Sequence, residues 1–316
     1  MGINTIDTAN MYSNGESERI IATFMAQVLR YIPRSSARRT VTHFWNNIPR
    51  QNTVILTKIN FLVAPDPGTF TLFYPDLANT REYVNQGGLS RAAIFNQVEA
   101  SLNRLNTMYI DLLQIHDFDP NTPMEETMKA LHDLVVAGKV RYLGASRLHA
   151  WQLAEMNHIA ESKGWTPFIS VQVEHSLLYR TEVRGPSFPK EAHVTDLSQE
   201  IDMFAYCQLK GIGIISFSPL MDGYLARPLG TETPRTQSIK GSSFEKKRRA
   251  SDEEIIKRVE ELADKHSWKM SQVSLLWSLT KVSSPIVGAN SVRSLNVPTF
   301  SLTHSLIYSQ LDSQSA

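Results

Sequence analysis

Strand-like and helix-like segments alternate along most of this 316-residue chain, and this alternation limits its fold more than any other feature. The strand-like segments, such as 140–146 and 212–217, are short runs rich in apolar and β-branched residues. A segment such as 150–163 instead repeats its apolar positions with a helical period. Strands that are apolar on both faces are typical of a parallel sheet covered by helices, so the pattern predicts an α/β fold.

Seven strands can be counted in this pattern, with helices between them. The sequence predicts these strands at 3–6, 52–58, 109–116, 140–146, 168–173, 212–217 and 285–287. A dinucleotide-binding sheet is the rival architecture, but no Gly-x-Gly-x-x-Gly motif follows any of the strands. The missing motif counts against that architecture and favours a parallel α/β barrel of the TIM type.

Four polar residues follow the ends of the first three strands. Asp7 and Tyr12 come after the first, Lys58 ends the second and His116 ends the third. The carboxyl ends of barrel strands meet at one face, where catalytic residues gather. A phenol titrates near pH 10 and is a poor acid at neutral pH unless a cation or a hydrogen-bond partner favours the phenolate. The grouping therefore predicts an acid–base site.

These residues and their surroundings resemble the aldo-keto reductases, which are nicotinamide-dependent carbonyl reductases on an (α/β)8 barrel. The resemblance covers the chain from Gly2 to about Leu295. The sequences of two segments, Leu-Leu-Gln-Ile-His at 112–116 and Gly-Leu-Ser-Arg at 88–91, most resemble those of fungal versiconal hemiacetal acetate reductases and aryl-alcohol dehydrogenase-like members. The resemblance implies reduction of an aldehyde or ketone on a small molecule, with secondary metabolism as one setting.

The family's catalytic tetrad maps onto Asp7, Tyr12, Lys58 and His116. Tyr12 is then the proton donor, Lys58 favours its phenolate, and Asp7 holds Lys58 charged and oriented. His116 is expected to orient the carbonyl or to help relay the proton. Each residue alone also has a structural interpretation: a turn cap, a surface phenol, a solvated lysine or a core histidine.

The resemblance also implies a nicotinamide cofactor, NADPH rather than NADH. The positions that match contacts to the carboxamide, the nicotinamide ring and the pyrophosphate are Ser146, Arg147, Gln172, Phe217, Ser218, Pro219, Leu220 and Gly223. Arg147 stands where Asn is common, and a core aromatic is the alternative for Phe217. The segment that resembles the adenosine-phosphate site contributes Gly288, Asn290, Ser291, Arg293 and Ser294. A cationic or hydroxyl-rich site there favours a 2′-phosphate.

Three departures from the family pattern are expected to matter for stability. Compared with the family, the barrel is expected to lack its first strand, to carry an arginine-rich insert at about 28–47 and to end in an atypical tail after about 295. We expect one barrel domain over 1–316, open or strained because unpaired strand edges are costly. A cofactor-binding regulatory subunit, as the potassium-channel β subunits are, and an inactive truncated product stay open as alternatives.

Composition excludes several other classes of protein. The net charge of +1 gives no reason to expect nucleic acid or membrane partners, and no apolar run approaches the roughly 18 residues of a membrane span. The single Cys207 cannot form an internal disulfide and fits a reducing compartment, so we expect a cytoplasmic protein. The nine histidines lack metal-ligand spacing, so no metal is expected. Composition indicates no particular oligomeric state.

Overall fold

The computed structural model describes residues 4–30, 49–180, 202–233, 236–237, 240–241 and 249–288. Within these ranges the strands are β1 Thr5–Asp7, β2 Val54–Ile59, β3 Ile110–Ile115, β4 Val140–Ser146, β5 Phe168–Glu174, β6 Gly213–Phe217 and β7 Ser284–Pro285. The helices are α1 Glu16–Arg30, α2 Arg91–Leu105, α3 Met124–Val136, α4 Ala150–Ser162, α5 Phe204–Lys210, α6 Ala250–His266 and α7 Met270–Leu279.

The seven strands form one parallel sheet in the order β1 to β7, which confirms the predicted sheet and its strand count. Strand bounds move by one or two residues where pairing decides them. The first predicted strand, 3–6, lies instead at Thr5–Asp7 because Thr5 pairs with Val54 of β2. Pairing likewise limits the last one to Ser284–Pro285.

The sheet curls as part of a barrel wall does. Flat parallel strands lie about 4.8 Å apart, so the ends of β1 and β5 would be about 19 Å apart in a flat sheet. In the structure the side-chain amide of Gln172 on β5 donates a hydrogen bond of 2.9 Å to Asp7 on β1. The described strands therefore form a curled half-barrel, in agreement with the predicted TIM-type fold. The carboxyl ends of these strands converge.

The outer layer packs helices against the sheet. Helix α2 begins after Ser90, whose hydroxyl accepts a hydrogen bond from the Ala93 amide, and ends at Asn106 in the left-handed conformation. Its apolar face buries Ile94 and Val98 completely. Full burial of an aliphatic side chain of this size contributes about 1.5–3 kcal/mol, which is why the helical period of the sequence translates into helix-on-sheet packing.

The predicted long loops contain short 3-10 helices. One follows β2 and carries turns at Thr71–Phe73 and Pro75–Asn79, and the other follows β6 and carries Met221–Ala226. Helix α1 continues to Arg30, so it includes the first residues of the region predicted as an insert at 28–47. The rest of that region and the tail after 295 lie outside the described residues.

Candidate functional site

Lys58 lies at the centre of the converging strand ends. Its side chain is completely buried, and its Nζ donates to Oδ2 of Asp7 at 2.6 Å and to the backbone carbonyl of Thr8 at 2.9 Å. A buried ammonium group needs a carboxylate partner because charge is expensive to remove from water. The sequence places these two residues on neighbouring strands, and the sheet brings them into direct contact.

The second oxygen of Asp7 is held by two amides. Gln172 donates to Oδ1 at 2.9 Å, and Gln114 on β3 donates to the same atom at 3.4 Å. The two glutamine side chains also meet each other at 3.4 Å. Sequence reasoning missed Gln114, although a polar residue inside the apolar strand β3 is a signal that could have identified it.

Tyr12 and His116 stand beside this ion pair. Nζ of Lys58 lies 5.3 Å from the centroid of the Tyr12 ring, and the Tyr12 and His116 rings meet edge to face at 5.7 Å. Tyr12 is 39% exposed, whereas Lys58 is fully enclosed. The four residues predicted from the sequence therefore form one cluster, and the Tyr12 side chain is the most exposed of the four.

The buried imidazole of His116 is held neutral. Burial, followed by the positive charges of Lys58 and Arg147, lowers the pKa of His116 well below its usual value near 6.5. Its Nδ1 is buried without a hydrogen-bond partner among the described residues. The ring of Phe61 packs against it at 5.1 Å. A neutral imidazole donates one hydrogen bond from one ring nitrogen and accepts one at the other.

Arg147 and Asp117 form a second charged pair next to His116. Nη2 of Arg147 lies 3.4 Å from Oδ2 of Asp117, and the Arg147 backbone is left-handed with φ 58°. Burial raises the pKa of Asp117, and the charge of Arg147 opposes that rise. The buried Nε of Arg147 has no partner in the part of the chain that the structure describes, so it can donate to an added ligand.

Several residues expected at a cofactor lie along the same edge of the sheet. Ser146 pairs with Gln172 across β4 and β5, and both are buried, while the Gln172 amide contacts Asp7. Phe217 ends β6 half-buried and opposite Glu174 of β5. Ser146, Gln172 and Phe217 thus come to one edge, beside Arg147.

The turn after β6 leaves open space. Ser218 has φ 56° and Gly223 has φ 97°, and hydrogen bonds from Met221 to Ser218 and from Gly223 to Leu220 tighten the backbone. A Cβ placed on Gly223 would meet no atom within 4 Å. Pro219 and Leu220 lie within this turn, so the whole predicted backbone segment is present as one unit.

A cavity of about 270 Å³ adjoins the turn after β6. Its walls come from Gly223, Arg227, Lys240 and Ile256, among others. Glu232 also lines the cavity, and its carboxylate lies 3.7 Å from Nζ of Lys240. Arg227 in the cavity, the unpartnered Nε of Arg147 outside it and the open glycine fit an anionic, extended cofactor. Gly288 follows β7 and is exposed. The remaining expected contacts lie outside the described residues: Asn290, Ser291, Arg293 and Ser294.

Other site classes are missing from the described residues. They contain no group of three or more His, Cys, Asp or Glu side chains that could hold a metal ion. None of their helices combines the length and the apolar character needed to cross a bilayer.

Comparison with known proteins identifies the family. The model of the aldo/keto reductase family matches residues 1–311. The aldo-keto reductase AFTS1 of Alternaria alternata is 45% identical over 301 residues, which cover 93% of this chain and 73% of that protein. Versiconal hemiacetal acetate reductase of Aspergillus parasiticus is 41% identical over 294 residues, covering 92% and 75%. The aldo-keto reductase dtxS3 of Metarhizium robertsii is 43% identical over 300 residues, covering 92% and 71%. With its curled parallel sheet, the chain belongs to the aldo/keto reductase family.

Proposed function

We propose that this protein reduces an aldehyde or ketone of a small molecule to an alcohol, with NADPH as the cofactor and Tyr12 as the proton donor. Membership of the family supports an oxidoreductase that acts on carbonyl compounds. The observation that carries the finer proposal is the buried Lys58–Asp7 pair beside the half-exposed ring of Tyr12.

Each member of the cluster has a distinct part in moving the proton. Tyr12 donates the proton of its hydroxyl to the carbonyl oxygen, and the nearby charge of Lys58 stabilises the phenolate that remains. Asp7 orients the side chain of Lys58 through the bond of 2.6 Å. Neutral His116 donates a hydrogen bond to the carbonyl oxygen and so fixes its position.

The cofactor is proposed to lie across the ends of β4 to β7. When bound, the nicotinamide supplies the hydride that the carbonyl carbon accepts. Ser146, Arg147 and Gln172 offer polar groups to the carboxamide, and Phe217 offers a stacking face. The backbone of Ser218, Pro219, Leu220 and Gly223 follows the pyrophosphate, and Gly288, Asn290, Ser291, Arg293 and Ser294 are proposed to surround the adenosine phosphate.

The direct test measures NADPH oxidation with a panel of aldehydes and ketones. Tyr12→Phe should lower the turnover rate by about 10² or more, which is the low end for general acid catalysis, with little change in NADPH affinity. Tyr142→Phe is the matched control because Tyr142 is an exposed tyrosine on β4, and it should keep the original rate.

Three outcomes would change the proposal. Full turnover in Tyr12→Phe would remove Tyr12 from the mechanism. NADPH binding without turnover of any carbonyl would favour a cofactor-binding regulatory subunit. The absence of both NADPH binding and turnover would favour an inactive product.

A single barrel domain over 1–316 and a cytoplasmic location are proposed on the same family grounds.

A further inference from the structure

The buried side chain of Asn14 joins two loops at the mouth of the half-barrel. Its Nδ2 donates to the backbone carbonyls of Asp66 at 2.7 Å and Thr69 at 2.6 Å, and its Oδ1 accepts from the Ala64 amide at 3.0 Å. Only 4% of the residue is exposed. These three bonds use both N–H groups and the oxygen of the amide, so Asn14 is fully engaged with the loop after β2.

The loop that receives these bonds is shaped to present its carbonyls. The carboxylate of Asp66 accepts from the Gly68 amide and from the Thr69 hydroxyl, both at 3.0 Å, and the Thr69 amide bonds back to the Asp66 carbonyl at 3.1 Å. This is an aspartate-based turn that fixes the two carbonyl groups side by side. Asn14 therefore binds a preformed pair of acceptors.

A second asparagine makes a similar link on the other side of Tyr12. Asn10 is completely buried, and its Nδ2 donates to the Phe61 carbonyl at 3.2 Å and to Gln97 at 3.0 Å. Tyr12 thus lies midway between two asparagines that hold the same loop. The Phe61 ring packs on His116, so this loop also reaches the catalytic cluster directly.

We propose that Asn14 is a positioning residue that sets the aromatic segment, defined here as residues 61–74, at a fixed distance from Tyr12 and thereby determines which carbonyl substrates fit. The segment carries Phe61, Phe70, Phe73 and Tyr74. Phe73 and Tyr74 are more than half exposed, and the Phe73 ring packs against Phe70 with centroids 4.9 Å apart. The catalytic consequence rests on the proposed function, whereas the linkage between the loops stands on the contacts alone.

The left-handed backbone of Asn14 permits a clean test, because φ is 51° and glycine adopts this conformation without strain. Asn14→Gly keeps the backbone and removes the three bonds. Asn14→Asp keeps the size but turns a carboxylate oxygen toward the carbonyl oxygens of Asp66 and Thr69, so both donor bonds are lost and the repulsion drives the side chain away from the loop. Asn106→Gly is the matched control, since Asn106 is also left-handed with φ 49° but is exposed at the end of α2.

Hydrogen exchange of the Ala64 amide reports on the linkage without any need for activity. In Asn14→Gly this amide should exchange about tenfold faster, because its hydrogen bond to Oδ1 of Asn14 is lost together with the two bonds that hold the loop. The Ala64 amide should also exchange faster in Asn14→Asp, whereas in Asn106→Gly it should stay protected. Unchanged exchange in Asn14→Gly would overturn the proposal.

Steady-state kinetics then test the effect on substrates. With a bulky aromatic aldehyde, KM should rise about tenfold in Asn14→Gly and Asn14→Asp, while kcat with a small aliphatic aldehyde changes less than about threefold. If kcat/KM falls by the same factor with both aldehydes, the role of Asn14 is merely structural, and the positioning role is refuted. If the wild-type protein reduces neither aldehyde, the proposed function fails, and exchange at Ala64 still decides whether Asn14 holds the segment.

Discussion

At the level of single residues, His116 carries the clearest pH dependence of the site because its imidazole lies buried next to two cations. Its pKa is lowered in the folded protein, so below about pH 6.5 the unfolded chain binds a proton that the folded protein does not. The stability that His116 contributes is therefore complete above this pH. It is lost as the pH falls from about 6.5 toward the lowered pKa of the folded state.

The prediction is a difference in pH dependence between two variants. Between pH 7.5 and pH 5, Tm of the wild-type protein should fall more than Tm of His116→Gln, whose side chain does not titrate. His158→Gln, which replaces an exposed histidine on α4, should keep the wild-type pH dependence. Parallel curves for wild type and His116→Gln would contradict the lowered pKa.

At the level of elements, a buried ion pair joins helices α1 and α2 to strand β2. Glu18 on α1 is fully enclosed and accepts from Arg104 Nε of α2 at 2.7 Å and from the Thr57 hydroxyl of β2 at 2.6 Å. Arg104 also packs against Gly15, whose φ of 86° suits glycine and where a Cβ would lie 2.4 Å from the arginine. The pair therefore supports the turn between Tyr12 and α1.

Breaking this pair from one side should strongly destabilise the protein. Arg104→Met leaves the Glu18 carboxylate buried without its cation, which costs about 3–5 kcal/mol in the free energy of unfolding. The double variant Glu18→Met/Arg104→Met should be more stable than Arg104→Met alone, since no uncompensated charge is left. Chemical denaturation measures the free energy of unfolding of the single and the double variant.

An exposed arginine provides the comparison. Arg258 pairs with Glu261 on the surface of α6, so Arg258→Met should change stability by less than about 1 kcal/mol. If Arg104→Met also lowered the free energy of unfolding by less than about 1 kcal/mol, the buried pair would not hold α1 and α2 to the sheet.

At the level of the whole molecule, cofactor binding should stabilise the fold because the proposed site spans four strands. At a concentration of about 100 times Kd, a ligand adds about 2.7 kcal/mol of stability, which corresponds to roughly 5 °C in Tm. Because the proposed contacts to a 2′-phosphate favour NADPH, NADPH should raise Tm more than NADH at equal concentration. Equal shifts would show that Asn290, Ser291 and Arg293 do not read a 2′-phosphate.

The same experiment tests the stacking role of Phe217. Phe217→Ala should reduce the shift caused by either cofactor, since a stacked aromatic face is worth about 0.5–1.5 kcal/mol beyond buried area. Phe24→Ala, on the partly exposed side of α1, should leave the shift unchanged. An undiminished shift in Phe217→Ala would assign Phe217 to the core alone.

The sequence by itself determined the types of the elements and their order, because apolar periodicity acts over a few neighbouring residues. Strand β4 begins at Val140 and ends at Ser146, as the pattern predicts. It also placed Asp7, Tyr12, Lys58 and His116 at strand ends, where a parallel sheet gathers polar groups. Strand ends that depend on pairing, such as that at Thr5, shifted because the partner strand decides them.

Only the tertiary structure decided the surroundings of the site. Gln114 and Gln172 lie 107 and 165 residues from Asp7 in the chain, yet both donate to its carboxylate once the sheet curls. The complete burial of Lys58 and the contact of Asn14 with the loop after β2 arise in the same way. Curvature is a joint property of all the paired strands, and no local stretch of sequence encodes the distance it sets between two strand ends.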